Sequence, residues 1–235
     1  MSRSYLYQTI HTIGYSPLYL DRHCHLLEES FMELYMQTLH LDTDRISSEI
    51  DQLLRSQSLT TELSIFVDLR VYSSGEYTLV VDSISLYDGY SLRAITPRAV
   101  LVEFTSPFGS LPTNARRTTV AQANDVAVNL GGELAVEHID NRVISIGGSA
   151  PFVVLGRMLV TPQTLESVER EVVIEAAERA GLTIEQRDIT ISELLNCDEL
   201  FITDHYGLTS ISHLEHRPYA NTIAVKVAEL LAQPF

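Results

Sequence analysis

The sequence predicts an α+β protein of two domains. Three observations lead there. An amphipathic helical period gives way to strand-like alternation within the first hundred residues, a Pro/Gly-rich segment interrupts the chain at 105–112, and short β-branched runs then mix with long helical patterns. A chain of 235 residues has room for two cores of ordinary size.

Residues 19–40 place Leu26, Leu27, Phe31, Leu34, Tyr35 and Leu39 at helical spacing, with Glu28, Glu29 and Glu33 between them. Asp42 or Thr43 caps a second helix that buries Ile46, Ile50, Leu53 and Leu54. The period then changes. Ser64–Tyr72 and Tyr77–Ser83 are rich in β-branched and aromatic residues and read as a hairpin closed by Ser73-Ser74-Gly75-Glu76. Ala99–Phe104 reads as a further strand, completing a sheet with two helices on one side.

Past the 105–112 segment the pattern predicts a helix from Thr113 to Val128, stopped by Gly131-Gly132. Strands follow at Glu133–Glu137, Arg142–Ile146 and Phe152–Leu155, with turns at Asp140-Asn141 and Gly156-Arg157. A helix from Leu165 to Ala180 is closed by Gly181, Ser192 caps a short turn, Leu200–Thr203 is a strand, and Ala220–Ala232 is a closing amphipathic helix. The predicted division is 1–105, a linker at 106–112, and 113–235.

Composition narrows the function classes. Sixteen basic against thirty-one acidic side chains leave a formal charge of −15, and a surface that acidic repels phosphate backbones and anionic membranes, so neither nucleic acid nor membrane is an expected partner. Two cysteines, Cys24 and Cys197, are too few for a disulfide framework or a four-thiolate metal site, which fits a reducing cytoplasm. The basic residues are fifteen Arg and a single Lys, Lys226.

The motifs that could carry chemistry are sparse. His23 and His25 point about 200° apart on a helix and cannot share a metal from one face; His213 and His216 are better spaced but lack a third ligand, so no metal is expected. Asp204-His205 and Ser210 to His213 contain triad residue types without a G-x-S-x-G elbow. No glycine-rich phosphate loop precedes a helix. Lys226, the one side-chain amine able to form a Schiff base, falls on the polar face of the last helix with Thr222, Glu229 and Gln233, where a solvated lysine is the simpler reading.

The order of features resembles the fold-type IV pyridoxal-phosphate enzymes: class IV aminotransferases, branched-chain aminotransferases and aminodeoxychorismate lyase. Arg142-Val143 to Phe152 and Gly156 to Pro162 are similar to that family's strand–turn–strand ending in Thr-Pro. Ala180 to Glu185 and Glu193 to Thr203 are similar to its run ending in Asp-Glu-Val-Phe, and Thr9-Ile10 and His23 to Leu27 fall where it has its first strand and a His-x-x-Arg-Leu helix start. The resemblance implies a homodimer of two-domain chains with the cofactor between the domains.

At the positions that would hold that cofactor the sequence departs from the family. Leu26 stands in place of the phosphate-binding arginine, and Pro112 lies where the Schiff-base lysine belongs. Ser145 replaces the glutamate that pairs with the pyridine nitrogen, and Ala150 replaces a later asparagine. Ser167-Val168-Glu169-Arg170 aligns with the phosphate-cupping Gly-Ile-Thr-Arg, so Glu169 brings a carboxylate where a phosphate is bound, and Asp204-His205 replaces a final Gly-Thr pair. The expectation is therefore a member of the fold that has lost covalent pyridoxal-phosphate chemistry, with no cofactor expected, serving as a small-molecule-binding or structural dimer. The alternatives are an active pyridoxal-phosphate aminotransferase or aminodeoxychorismate lyase, and a cofactor-free hydrolase or lyase using Arg170, Asp204 and His205 in the interdomain cleft.

Overall fold

A computed structural model describes residues 3–59, 64–85, 90–104, 106, 108–163 and 167–231. Chain contacts divide it into two units, Met1–Gly89 with Leu111–Arg116, and Tyr90–Ser110 with Arg117–Phe235.

In the first unit an antiparallel sheet has the order β2-β1-β3-β4, built from β1 (Tyr5–Ile13), β2 (Ser16–Pro17), β3 (Ser64–Tyr72) and β4 (Tyr77–Ser85). Two helices cover one face, α1 (Leu20–Tyr35) and α2 (Thr43–Ser56). Leu20, Cys24, Leu27 and Phe31 form the buried stripe of α1, and Ile46, Ile50 and Leu54 that of α2. They meet Leu6, Ile10, Ile65, Val67, Leu69 and Val71 of the sheet. Each such side chain contributes roughly 1.5–3 kcal/mol by leaving water.

The Asp42 carboxylate caps α2 by accepting from the Arg45 N–H, as the sequence predicts. α1 is shorter than its pattern predicts. Met36 adopts a left-handed φ of 55° and donates its N–H to the Met32 carbonyl, so the helix ends at Tyr35 although Leu39 still packs on the core. Residues 111–116 return to this unit along β1: the Pro112 carbonyl accepts from the Tyr7 N–H at 2.8 Å and the Asn114 side chain accepts from the Tyr5 N–H.

The second unit holds two sheets. One has the order β10-β9-β8-β12-β13, from β8 (Ala150–Leu155), β9 (Met158–Thr161), β10 (Thr183–Gln186), β12 (Glu199–Asp204) and β13 (Gly207–Ser210). The other has the order β11-β7-β6-β5-β14-β15, from β5 (Arg98–Glu103), β6 (Leu134–Ile139), β7 (Arg142–Ile146), β11 (Ile189–Thr190), β14 (His213–Leu214) and β15 (Arg217–Pro218). Between them lie Val136, Ile146, Val153, Val160, Leu200 and Ile202. α3 (Asn114–Asn129) covers Val100, Val102 and Ala135 with Ala123 and Ala127, while α4 (Val168–Arg179) and α6 (Thr222–Leu231) cover the outer face of the first sheet. α5 (Ile191–Asn196) closes the set.

Three further details depart from the sequence reading. β5, which the pattern places with the first hundred residues, pairs in parallel with β6, Ala99 opposite Leu134 through Glu103 opposite His138, and so belongs to the second unit. α4 starts at Val168 behind a Ser167 cap, later than the predicted Leu165, which lies outside the described residues. The short helix is capped by Thr190 rather than Ser192, in a capping box with Glu193. Thr105, Pro107, Ala232 and Gln233, which the sequence reading also names, lie outside the described residues.

Candidate functional site

The positions singled out in the sequence fall in both units. Leu26, half-buried on α1, and Pro112, held along β1 by its carbonyl, are in the first; Ser145, Ala150, Glu169, Arg170, Asp204 and His205 are in the second. Within the second unit, several of these come together at the head of α4 beside the end of β12.

The strand geometry explains why. Phe201 lies opposite Phe152 across the β8–β12 ladder, and Thr203 opposite Ala150. Side chains two apart on a strand share a face, so Thr203 and Ala150 continue the face on which Phe152 and Phe201 stack at 5.1 Å. That face is the one α4 covers, through Val173, Ala176, Ala177 and Ala180. Glu169 stands four residues before Val173 and seven before Ala176, on the same stripe of α4. Its side chain is therefore set toward the sheet at the helix's first turn, and it is buried.

The carboxyl of Glu169 is pushed up to about 7, first by burial, with Asp204 and Glu171 adding like charge. Hydrogen bonds from its own backbone N–H and from the Ser167 hydroxyl work in the opposite direction. The Ser167 oxygen in turn accepts from the Arg170 N–H at 3.1 Å. Close to the site, the Thr203 hydroxyl is 2% exposed and has no hydrogen-bond partner, a buried polar atom left open on the face toward α4.

Arg170, Asp204 and His205 are engaged differently. Arg170 is buried, its Nε donating to Thr161 Oγ1 at 3.2 Å and its Nη2 to Gln186 Oε1 at 2.7 Å, which ties β9, β10 and α4 together. Asp204 accepts from the Tyr206 N–H at 2.8 Å, a local turn closure. The His205 ring lies against Tyr206 at 4.2 Å. Ser145 is buried opposite Glu137 on β6, and its hydroxyl has no partner. Among the described residues no group of three His, Cys, Asp or Glu side chains could hold a metal.

Lys226 is exposed, as the sequence reading has it, and it also has a backbone partner. From α6 its Nζ donates to the Ala180 carbonyl at 2.7 Å, just past the C-terminus of α4, at the opposite end of that helix from Glu169. A cation there satisfies an unpaired carbonyl and complements the helix dipole.

A family model described as amino-transferase class IV matches residues 5–213. The chain belongs to the class IV aminotransferase family. Among curated protein sequences none matches it. Solved structures share its fold at low identity. A protein from Legionella pneumophila described as a 4-amino-4-deoxychorismate lyase is 17% identical, with a TM-score of 0.80 over 97% of this chain and 90% of the other. A branched-chain aminotransferase from Thermoproteus uzoniensis, solved with norvaline, is 20% identical, with a TM-score of 0.78 over 96% and 83%. An aminotransferase from Brucella abortus, solved with the cofactor PLP, is 16% identical, with a TM-score of 0.78 over 97% and 87%.

These findings correct the expectation that this chain takes no cofactor, since it belongs to the class IV aminotransferase family and a structure of its fold, that from Brucella abortus, carries pyridoxal phosphate. The residues present nevertheless do not fit that group held in its covalent, phosphate-anchored form. The only lysine of the chain is bound to a helix terminus, and the first turn of α4 already contains a carboxylate.

Glu169 also has a consequence for stability. A carboxyl whose pKa rises on folding stabilises the native state most below its unfolded value of 4.5, and that contribution is lost as pH climbs through about 7. Glu169→Gln removes the titration. Urea unfolding at several pH values is expected to show a flatter decline between those limits for the variant, and an unchanged slope would contradict the burial of this group.

Proposed function

We propose that this chain is a class IV aminotransferase-family protein that binds a pyridoxal-type ligand without a lysine Schiff base and does not run the family's covalent chemistry. The observation that carries this reading is the position of Lys226, the sole lysine, which donates to the Ala180 carbonyl at the end of α4 opposite Glu169. The family membership supports the ligand class, and the pyridoxal phosphate in the Brucella abortus structure supports it further. When bound, such a group would supply electron withdrawal into its ring; this chain's residues would supply a buried hydroxyl at Thr203 and a carboxyl at Glu169.

The test is to mix the purified protein with pyridoxal 5′-phosphate, reduce with borohydride, and map adducts by peptide mass. No stoichiometric adduct at Lys226 is expected; a reducible yellow adduct there would overturn the reading. Lys226→Ala is expected to lower stability by about 1 kcal/mol, the worth of one hydrogen bond, while leaving ligand binding in place. A second reading, an active aminotransferase or aminodeoxychorismate lyase, is favoured by the family match and by the Legionella pneumophila neighbour; turnover that disappears in Lys226→Ala would establish it. The family resemblance also leads us to propose a pair of identical chains, which sedimentation at micromolar concentration checks.

A further inference from the structure

We propose that Glu169 is the specificity-determining residue at the head of α4: the chain's own carboxylate occupies that turn, so the site takes a ligand end carrying a hydroxyl donor in preference to a phosphate. This rests on the pyridoxal-type reading above and narrows it to the unphosphorylated form.

Two independent features converge. The first is the carboxyl itself, buried, on the sheet-facing stripe of α4, and hydrogen-bonded by its own N–H and by the Ser167 hydroxyl. The first turn of a helix presents unpaired N–H groups and a positive dipole end, the features that attract an external anion. Here the chain supplies the anion. The second feature is Thr203 Oγ1, buried without a partner on the β12 face that α4 covers. An open hydroxyl on the sheet face and a carboxyl on the helix stripe that covers it together suit a group that both donates and accepts, as an alcohol does.

The surrounding charge opposes a phosphate. A phosphate monoester carries about −1.5 to −2 near neutral pH. Asp204 at the end of β12 and Glu171 on α4 already act on Glu169 with like charge. The Arg170 guanidinium on α4 is engaged with Thr161 and Gln186, and His205 after β12 lies against Tyr206. Entry of a phosphate therefore requires Glu169 to take up a proton and turn from acceptor into donor. The preference against phosphate is strongest where Glu169 is ionised and weakens as pH falls below about 7.

The experiment compares wild type, Glu169→Gln and Glu169→Thr by two measurements. Calorimetry measures binding of pyridoxamine and pyridoxamine 5′-phosphate, amines that form no Schiff base with lysine. Thermal unfolding measures stabilisation by inorganic phosphate alone. At about pH 8.5 wild type is expected to bind pyridoxamine about tenfold or more tightly than its phosphate, with the gap narrowing near pH 6. Glu169→Thr reverses the order and becomes stabilised by phosphate, and Glu169→Gln falls between.

An unchanged ratio in Glu169→Thr, or equal stabilisation of wild type by phosphate at about pH 8.5, overturns the proposal. Should neither amine bind any of the three proteins, the pyridoxal-type reading fails. The phosphate measurement then decides Glu169 by itself: a gain of stabilisation in Glu169→Thr upholds the internal anion, and no gain refutes it.

Discussion

Phe201→Ala is expected to lower the unfolding free energy by about 3–5 kcal/mol, measured by urea unfolding, with the transition still cooperative. Phe201 is fully buried, its ring stacked on Phe152 at 5.1 Å with 11° between the planes. Val173, Ala176 and Ala177 of α4 lie against this pair, and so does Val227 of α6. The alanines are too small to close over the vacated volume, so a cavity term adds to the lost transfer energy. Phe201→Leu keeps most of the volume and is expected to cost distinctly less. The effect should extend to the candidate site, because the same aromatic pair sets the height of α4 above the sheet face that carries Thr203. A loss below about 1 kcal/mol for the alanine variant would mean that α4 does not rest on these rings.

How much of this was legible in the sequence depends on the range of the interaction. α1, α2 and the β3–β4 hairpin follow from local periodicity, because each buries one face against a single neighbour. β1 is harder to read. Its residues Gln8, Thr9, His11 and Thr12 are all buried, so polar side chains stand at positions that a polarity pattern assigns to solvent; only the family resemblance marks it as a strand. The membership of β5 depends on a parallel ladder to β6, some thirty-five positions along the chain, which no local signal encodes.

The site divides in the same way. Glu169 stands out in the sequence as an acid where the family places a neutral residue, but its burial and its bond to Ser167 depend on the packing of α4. The sequence marks Thr203 only as the end of a strand. A hydroxyl two residues beyond Phe201, on the face shared with that ring, was the available signal. The exposure of Lys226 follows from the polar helical face it shares with Thr222 and Glu229; its partner, the Ala180 carbonyl, does not, being a backbone atom forty-six residues away.

Glu199→Ala is the second large effect, expected to cost about 3 kcal/mol and to fray α6. Glu199 opens β12 and is buried, an expensive place for a carboxylate unless it is fully hydrogen-bonded. Both of its oxygens accept from the Ile223 N–H at 2.9 Å, and Oε2 also accepts from the Ala224 N–H at 3.1 Å. These are first-turn donors of α6 that no intrahelical carbonyl can satisfy. A strand residue thus caps a helix that begins twenty-three positions later, and it adds a negative charge at the positive end of the helix dipole. Charge-assisted hydrogen bonds contribute roughly 1.5–3 kcal/mol each, and removing the acceptor leaves the Ala224 N–H buried and unpaired. Glu199→Gln keeps an acceptor of the same length and loses the charge, so it should recover part of the stability. The order wild type, glutamine, alanine in urea midpoint, with a parallel drop in helical circular dichroism, is the expected outcome. If the alanine and glutamine variants unfold together, the dipole charge carries the whole effect and the hydrogen bonds carry none; if both match wild type, α6 is held by its Ala224, Val227 and Ala228 packing alone.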